Sequence, residues 1–454
     1  MNYREEYDSL GMVKVPENAL WGAQTQRSLQ NFPQDVELMP KTQVMAQVML
    51  KKACALVNHE LAKLDDRRKD LIVEACDEIL AGKHDEQFPL TVWQTGSGTQ
   101  TNMNTNEVLT HLANKIAGEE LIHPNDHVNM SQSSNDTFPT SMHLSTTLNL
   151  EKKLYPAVEK VLGELARLEE EYKDLVKTGR THLQDATPVT LGQEISGWRT
   201  ALQRDYEGIK HAASELRKLA IGGTAVGTGL NATKDFGEKV ACKLSEMTGL
   251  DFSSDENKFY QLASKSALVM THAAIKTLAT DVYKIASDIR FSSCGPRCGI
   301  GELVIPSNEP GSSIMPGKVN PTQIESITMI CIQIMANDFA VSMANSQGQM
   351  QLNAYMPLII YNMDQSITLM SKSFDCFSEK LLKGLKPNEE QIAENLKNSL
   401  MLVTSLSPHI GYDKASEIAK NAYQKELSLK ESALELGYLS EEEFDQYVKP
   451  EEMV

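Results

Sequence analysis

The sequence predicts a mainly α-helical protein built around a central bundle of five long helices, and three observations predict it. Aromatic residues are only 6% of the chain against 20 methionines; strands draw on aromatic and β-branched side chains, so this mix favours helix. Apolar residues at Leu154, Val158, Val161, Leu165, Leu168, Tyr172 and Leu175 alternate in steps of four and three, the a/d seam of packed helices. Long helical patterns then follow one another with few strand signals between them, as in a helix bundle.

In chain order, residues 1–132 read as a mixed first domain. Helical patterns at Thr42–Leu64 and Arg67–Ala81 lie between polar loops punctuated by Pro16, Pro33, Pro40, Pro89 and Pro124. Residues 133–384 read as the bundle domain. After the first seam, Ile195, Trp198, Leu202, Tyr206, Ile209, Ala213 and Leu216 repeat it, and three more long helices are expected over Phe259–Ile289, Pro321–Met343 and Met356–Leu382. The Pro321–Met343 pattern is apolar most of the way round, which predicts burial and, in a soluble protein, assembly of bundle against bundle. Gly384-Leu385-Lys386-Pro387 ends the last long helix, and residues 385–454 read as a small acidic helical domain.

Composition narrows the function. The 454 residues carry a formal net charge of -17, which argues against a nucleic-acid partner, since phosphate binding needs a basic surface. A dianion can still be bound by local donors and a few cations in a cleft. Met1–Pro16 has neither the apolar core of a signal peptide nor an Arg-rich transit pattern, and no window is expected to span a bilayer, so no membrane partner and a cytoplasmic location are expected. The seven cysteines are scattered; Cys294 and Cys298 form a lone C-x3-C without a further ligand nearby, so all are expected to be buried small side chains rather than metal ligands.

Four polar stretches interrupt the helical text: Thr91–Asn102, His123–Asp136, Gly179–Pro188 and Gly311–Pro321. Ser, Thr, Asn and Asp are the usual helix caps, and each stretch precedes a long helix, so capping explains part of the pattern. A solitary His182 is more often structural, and a solitary Lys318 solvated. Taken together, uncharged donors recur in all four stretches, and helix N-termini add free backbone N–H groups, a set suited to a small carboxylate. No phosphate-binding G-x-x-x-x-G-K-[ST] is present, and Gly222–Gly229 is expected to be a turn between helices.

If the substrate is a dicarboxylate with a leaving group β to a carboxylate, the demanding step is removal of the proton next to that carboxylate. The resulting aci-carboxylate needs preorganised donors, and Lys318, Asn320 and helix N-termini can supply them. Base and acid must act from opposite sides. Ser312 lies in a Gly/Pro/Ser-rich loop able to close over a site, but its hydroxyl becomes a base only if its alkoxide is stabilised, for which Lys318 and nearby backbone N–H groups are candidates. Histidine titrates near neutrality, which makes His182 the natural second group, with Glu325 a candidate to orient it.

The run Gly311-Ser312-Ser313-Ile314-Met315-Pro316-Gly317-Lys318-Val319-Asn320 resembles the signature of the fumarase/aspartase superfamily, and the other motifs match in the expected order over nearly the whole chain. The Trp93–Thr99 motif and the Thr181-His182 pair are most similar to class II fumarase; aspartate ammonia-lyases typically carry Gln at the position of His182 and Ala at that of Gly317. The resemblance implies hydration of fumarate to L-malate without metal or organic cofactor. It also implies three domains and a homotetramer whose bundles form a 20-helix core, with active sites assembled from three subunits.

By the same resemblance, Ser312 is the base, Thr181 and His182 position the water, and Glu325 pairs with His182. Ser97, Thr99, Ser133, Ser134, Asn135, Lys318 and Asn320 hold the two carboxylates, and His123, Asn125 and Asp126 form a second anion site. Two departures fall at that second site: Glu119-Glu120-Leu121-Ile122 stands where some relatives are basic, and Met130 where a Lys is common. The rival readings are an aspartate ammonia-lyase, against which His182 and Gly317 argue, and a catalytically silent helical scaffold, against which the full set of matched residues argues.

Overall fold

The chain opens on an antiparallel hairpin that the composition did not announce, β1 (Tyr3–Asp8) with β2 (Gly11–Pro16). In the computed structural model, which describes residues 2–454, Val13 and Val15 point inward onto Ala19 and Ala23 while Met12 and Lys14 face out, the period-2 pattern of a half-buried strand. Helices then dominate: α1 (Ala23–Asn31), α2 (Lys41–Glu60), α3 (Asp66–Leu80), α4 (Thr99–Ala117), α5 (Ser134–Asn149), α6 (Tyr155–Glu171), α7 (Leu191–Ala213), α8 (Phe236–Thr248), α9 (Lys258–Ala263), α10 (Ser266–Ser292), α11 (Thr322–Ser346) and α12 (Met356–Lys380). Five shorter helices between Glu389 and Tyr447 complete the chain, the first of them α13 (Glu389–Asn398). The fold is therefore mainly α, with long α6, α7, α10, α11 and α12 where the patterns place them.

Two compact units divide the chain: Met1–Pro156, Asp205–Ala279 and Cys331–Ser371 in one, and Ala157–Arg204, Thr280–Ile330 and Lys372–Val454 in the other. In the first, α2 packs Leu50, Ala53, Cys54 and Val57 against Leu144 of α5 and Phe236, Val240 and Leu244 of α8. Removing such side chains from water is the main source of stability, about 1.5–3 kcal/mol for each large one fully buried. A polar knot also ties the long helices there. The buried His272 of α10 contacts Asp338 of α11 (3.1 Å) and Ser366 of α12 (2.9 Å), and Lys276 reaches Asp338 (2.7 Å).

In the second unit, Arg199 of α7 pairs with Glu169 of α6 (2.6 Å), and Trp198 donates to Asp288 of α10 (3.2 Å). Its C-terminal segment has a core of its own, with Leu406, Ile418, Ala422 and Ala433 at the centre.

Five expectations need correction. The first seam ends early: α6 stops at Glu171, because the Tyr172 and Leu175 carbonyls accept the backbone N–H groups of Gly192 and Leu191 in a tight reversal. A Cβ on Gly192 would meet the Lys173 backbone at 2.6 Å, so only glycine allows that approach. The expected helix over Phe259–Ile289 is broken at Ser264 and Lys265. Ser264 Oγ accepts from the Ser266 N–H, and the Lys265 ammonium donates to the carbonyls of Gln261, Leu262 and Ser264, side-chain bonds that compete with helix continuation.

The helix α11 is not buried all round: Met329, Ile332, Phe339 and Met343 are exposed. Contrary to the expectation that no segment is long and apolar enough to cross a membrane, α11 is, by length and composition, with a mean hydropathy of 1.5 over its best window. Finally, Cys54, Cys76 and Cys331 are buried as expected, whereas Cys242, Cys294, Cys298 and Cys376 are exposed.

Candidate active site

The candidate residues fall into two groups, one in each unit. In the first unit, the N-termini of α4 and α5 bring three hydroxyls into one relay: Ser97 Oγ lies 2.8 Å from Thr99 Oγ1, which lies 2.8 Å from Ser134 Oγ. Gly98, at φ 72°, caps α4, and a Cβ there would meet the Phe138 ring at 2.3 Å, so the turn that presents Ser97 and Thr99 requires glycine. Ser133 caps α5 in a reciprocal box with Asp136. Asn135 donates to the Ala225 carbonyl (2.8 Å), a bond to the Gly-rich loop that leaves its second amide hydrogen for a ligand. Two helix N-termini bearing a hydroxyl relay are suited to a carboxylate.

Beneath this relay lies a buried polar layer. Asp136, wholly buried, accepts from the N–H groups of Ser133 (2.9 Å), Gly222 (3.0 Å) and Thr224 (2.9 Å). Burial pushes its carboxyl up to about 6 against the pull of these donors and of Lys51. Lys51, equally buried, donates to Asn129 (2.8 Å) and Gln132 (2.9 Å), and burial lowers its ammonium to about 8. Sequence reasoning missed both roles. A Lys in the middle of an apolar helical face was the signal available for Lys51, and the third position after Ser133 for Asp136.

His123, Asn125 and Asp126 occupy a single exposed turn over Pro124–Val128. His123 Nδ1 accepts from the Asp126 N–H (3.2 Å), and the His123 N–H donates to His127 Nδ1 (2.8 Å). The segment before the turn has no basic residue of its own, but Arg68 of α3 reaches it, donating to the Leu121 carbonyl (3.3 Å). Burial and Arg68 lower the His127 imidazole.

In the second unit, the third polar stretch is not a helix N-terminus, as the sequence suggested, but a β-hairpin. β3 (Val176–Thr181) pairs with β4 (Gln184–Thr190), and His182 and Leu183 form the turn at φ 56° and 59°. Positive φ at both turn residues is the sign pattern of a type I′ turn, whose twist matches that of the strands. Thr181 and His182 are therefore exposed at a hairpin tip, beside a cavity of about 790 Å³ also lined by Lys177, Arg180, Glu194 and Trp198.

A fully buried carboxylate anchors the hairpin. Glu302 receives both arms of Arg180 (2.9 and 2.7 Å), the Asn395 amide (2.9 Å) and, at 3.2 Å, Lys177, which is itself 2% exposed. Burial alone would raise the Glu302 carboxyl, but Arg180, Lys177 and Asn395 outweigh it and hold it below its ordinary value.

The fourth stretch is a loop closed on itself. The Gly311 N–H donates to the Lys318 carbonyl (3.0 Å), and Asn320 Nδ2 donates to the Gly311 carbonyl (2.6 Å). Inside it, Ser312 Oγ accepts two backbone N–H groups, from Ile314 (3.2 Å) and Met315 (3.0 Å). Lys318, Asn320 and Glu325 line a neighbouring cavity of about 570 Å³. Within the chain, Glu325 faces Arg290 (3.6 Å), and among the described residues it makes no ion pair with His182.

Comparison with known proteins agrees across the full length. Residues 11–336 match the lyase family, and residues 402–454 match the fumarase C C-terminus family. Class II fumarate hydratases of Campylobacter jejuni and Bacillus subtilis are each 54% identical to this chain, over 100% of it and 99% of their own lengths. A crystal structure of class II fumarase from Schistosoma mansoni superposes with a TM-score of 0.97 at 44% identity, over 100% of this chain and 99% of that one. A cobalt-bound fumarate lyase:delta crystallin from Brucella melitensis gives 0.95 at 37% identity, over 100% and 99%.

Proposed function

The chain belongs to the class II fumarate hydratase family, and from that premise we propose that it adds water reversibly to fumarate, giving L-malate. The observation that carries the chemistry is the Gly311–Asn320 loop. Two N–H groups aimed at Ser312 Oγ favour the alkoxide over the hydroxyl, which answers the objection that serine is too weak a base.

In the dehydration direction, Ser312 takes the proton from the methylene carbon of L-malate, and the electron pair moves into the adjacent carboxylate. Lys318 and Asn320 meet the developing aci-carboxylate charge. The C–O bond then breaks on the opposite face, and the hydroxide leaves as water with a proton supplied through the Thr181-His182 pair. Hydration runs the same steps in reverse, an anti addition. Ser97, Thr99, Ser133, Ser134 and Asn135 hold substrate carboxylate at the paired helix N-termini, and Glu325 serves to orient His182. His123, Asn125 and Asp126 belong to this proposal as a second anion site, with Arg68 as its nearby cation.

The test is ultraviolet absorbance of the chelator-treated protein with L-malate and, separately, L-aspartate. Rising absorbance from malate alone is the expected result. A rise from aspartate alone would replace hydration with ammonia elimination, and silence with both would favour the scaffold. His182→Asn should lower kcat and remove one limb of its pH profile; an unchanged profile would move the acid role elsewhere.

A homotetramer with shared active sites is part of the same proposal. The exposed apolar face of α11 supports it, since such a patch marks an assembly surface, as does the separation of His182 from Glu325 pairing within the chain. Light scattering should give about four times the chain mass of 50.4 kDa; a monomer would remove the shared sites. The three-domain division at residues 132 and 384 and a cytoplasmic location complete the proposal.

A further inference from the structure

The helix α2 carries a buried polar stripe to which the proposed reaction gives no role. Gln43, Gln47, Lys51 and Asn58 share one helical face, and each is fully buried. Gln47 donates to Asn102 Oδ1 near the start of α4 (2.9 Å), an oxygen that also accepts from Thr137 of α5 (3.1 Å). Gln43 donates to Ser141 of α5 (2.6 Å). Lys51 and Asn58, two turns apart, grip the turn that leads into α5. Lys51 donates to Asn129 (2.8 Å) and Gln132 (2.9 Å). Asn58 donates to the Met130 carbonyl (3.0 Å) and accepts from Ser131 Oγ (2.9 Å).

This turn needs a grip. Ser131 stands at φ 64°, a conformation that costs a non-glycine residue free energy and persists where its surroundings impose it. The amide of Gln132 donates back into the turn, to the Val128 (3.1 Å) and Met130 (2.9 Å) carbonyls, and its carbonyl oxygen accepts from Asn129 (3.3 Å). Lys51 ties that folded segment to α2. The residue after Gln132 is Ser133, the cap of α5, and Ser134 and Asn135 follow.

A buried ammonium is a costly tie. Among the described residues Lys51 has no carboxylate partner in contact; Asp136 attracts it, but commits its oxygens to the N–H groups of Ser133, Gly222 and Thr224. For stability alone, an apolar side chain of similar volume would serve as well or better. What the ammonium supplies is several donors at one point, here directed at two amide oxygens of one turn.

We propose that Lys51 is a positioning residue for substrate binding: through Asn129 and Gln132 it sets Ser133, Ser134 and Asn135 at the start of α5 against Ser97 and Thr99 at the start of α4. The inference rests on the reading that these paired helix N-termini hold one carboxylate of fumarate. All of these residues lie in the first unit, so the placement is made within one chain. Lys51 is fully buried, touches no substrate and acts only through the turn.

The experiment compares Lys51→Met and Gln132→Met in the full-length enzyme, each alone and together. It reads steady-state kinetics with fumarate, inhibition by succinate (a saturated dicarboxylate that binds without reacting) and a thermal melt. In the proposed mechanism charge develops on the other carboxylate, at Lys318 and Asn320, so the one at the helix N-termini is held alike before and in the transition state. Losing its alignment should raise KM for fumarate by about tenfold, the equivalent of one hydrogen bond to a charged group, and leave kcat within about threefold. The inhibition constant of succinate should rise by the same factor. Lys51→Met fills the same space without the charge. Gln132→Met breaks the same tie at a half-buried position and carries the test if Lys51→Met does not fold. The double variant should match the single ones, because each removes the same link.

Three results would overturn the proposal. Unchanged KM and succinate inhibition beside a lower melting temperature would make Lys51 a strut of the fold. A fall in kcat at unchanged KM would place its effect on the chemistry and not on the carboxylate. Losses that multiply in the double variant would mean that Lys51 does not act through Gln132. An unmodified enzyme unable to hydrate fumarate would be a different failure, of the functional reading itself, and would take the proposal with it.

Discussion

Ser312→Ala should lower kcat by about 10²- to 10⁴-fold, the contribution of a positioned general base, while stability changes by no more than about 0.5 kcal/mol, as for other substitutions away from the core. The asymmetry follows from where the hydroxyl sits. Among the described residues Ser312 belongs to no buried apolar cluster, and its Oγ accepts from the N–H groups of Ile314 and Met315, both exposed to water that can replace it. The loop is closed elsewhere, by Gly311 with Lys318 and by Asn320 with Gly311, so the alanine variant keeps its frame. KM should change little, because the hydroxyl is asked to move a proton rather than to hold a carboxylate. The measurement is steady-state kinetics with L-malate beside a thermal melt. Wild-type turnover in the variant would show that another group is the base, and a collapse in stability would mean that the loop has a structural role its bonds do not reveal.

How much of this was legible before the structure depends on the range of the interactions concerned. The long helices were readable because their signal is local and repeated: Val158, Val161, Leu165 and Leu168, spaced four and three apart, are all fully buried. The hairpin carrying His182 was not. A two-residue hairpin turn is normally announced by Asn-Gly or Asp-Gly, and here His182-Leu183 takes the positive φ values instead, while Arg180 beside the turn pairs with Glu302 more than a hundred residues away in sequence.

Glu302 was invisible for the same reason. It lies in an ordinary loop sequence, and its partners Lys177, Arg180 and Asn395 are distant along the chain. The donor relay was half visible. Ser97, Thr99 and Ser134 could be named from their motifs, but that Thr99 bridges the other two follows only once α4 and α5 start side by side. Asp136 could be read as the third member of a capping box, whereas its second oxygen holding the Gly222–Thr224 loop could not. Periodicity thus reports which face of an element is buried, and it is silent on which distant polar group meets which.

Lys318→Gln should raise KM for fumarate by about 10-fold or more and lower kcat/KM by about 10²-fold, equivalent to the roughly 2–5 kcal/mol lost when one partner of a desolvated charge pair is removed. Lys318 contributes to the loop through its backbone: its carbonyl accepts from the Gly311 N–H, and its own N–H donates to the Met315 carbonyl. The ammonium has no carboxylate partner within the loop, and Glu325 in the same cavity faces Arg290. The substitution therefore removes a charge without removing a strut, and the fold should survive it. A chain of net charge -17 offers a dianion an unfavourable general field, so the local cation matters more than it would on a basic protein. For the same reason, raising ionic strength should narrow the gap between wild type and variant, since salt screens what only the wild type has. Michaelis parameters at two salt concentrations would test both points. An unchanged KM would place the carboxylate elsewhere, and a loss confined to kcat would reassign Lys318 from holding the substrate to stabilising the aci-carboxylate alone.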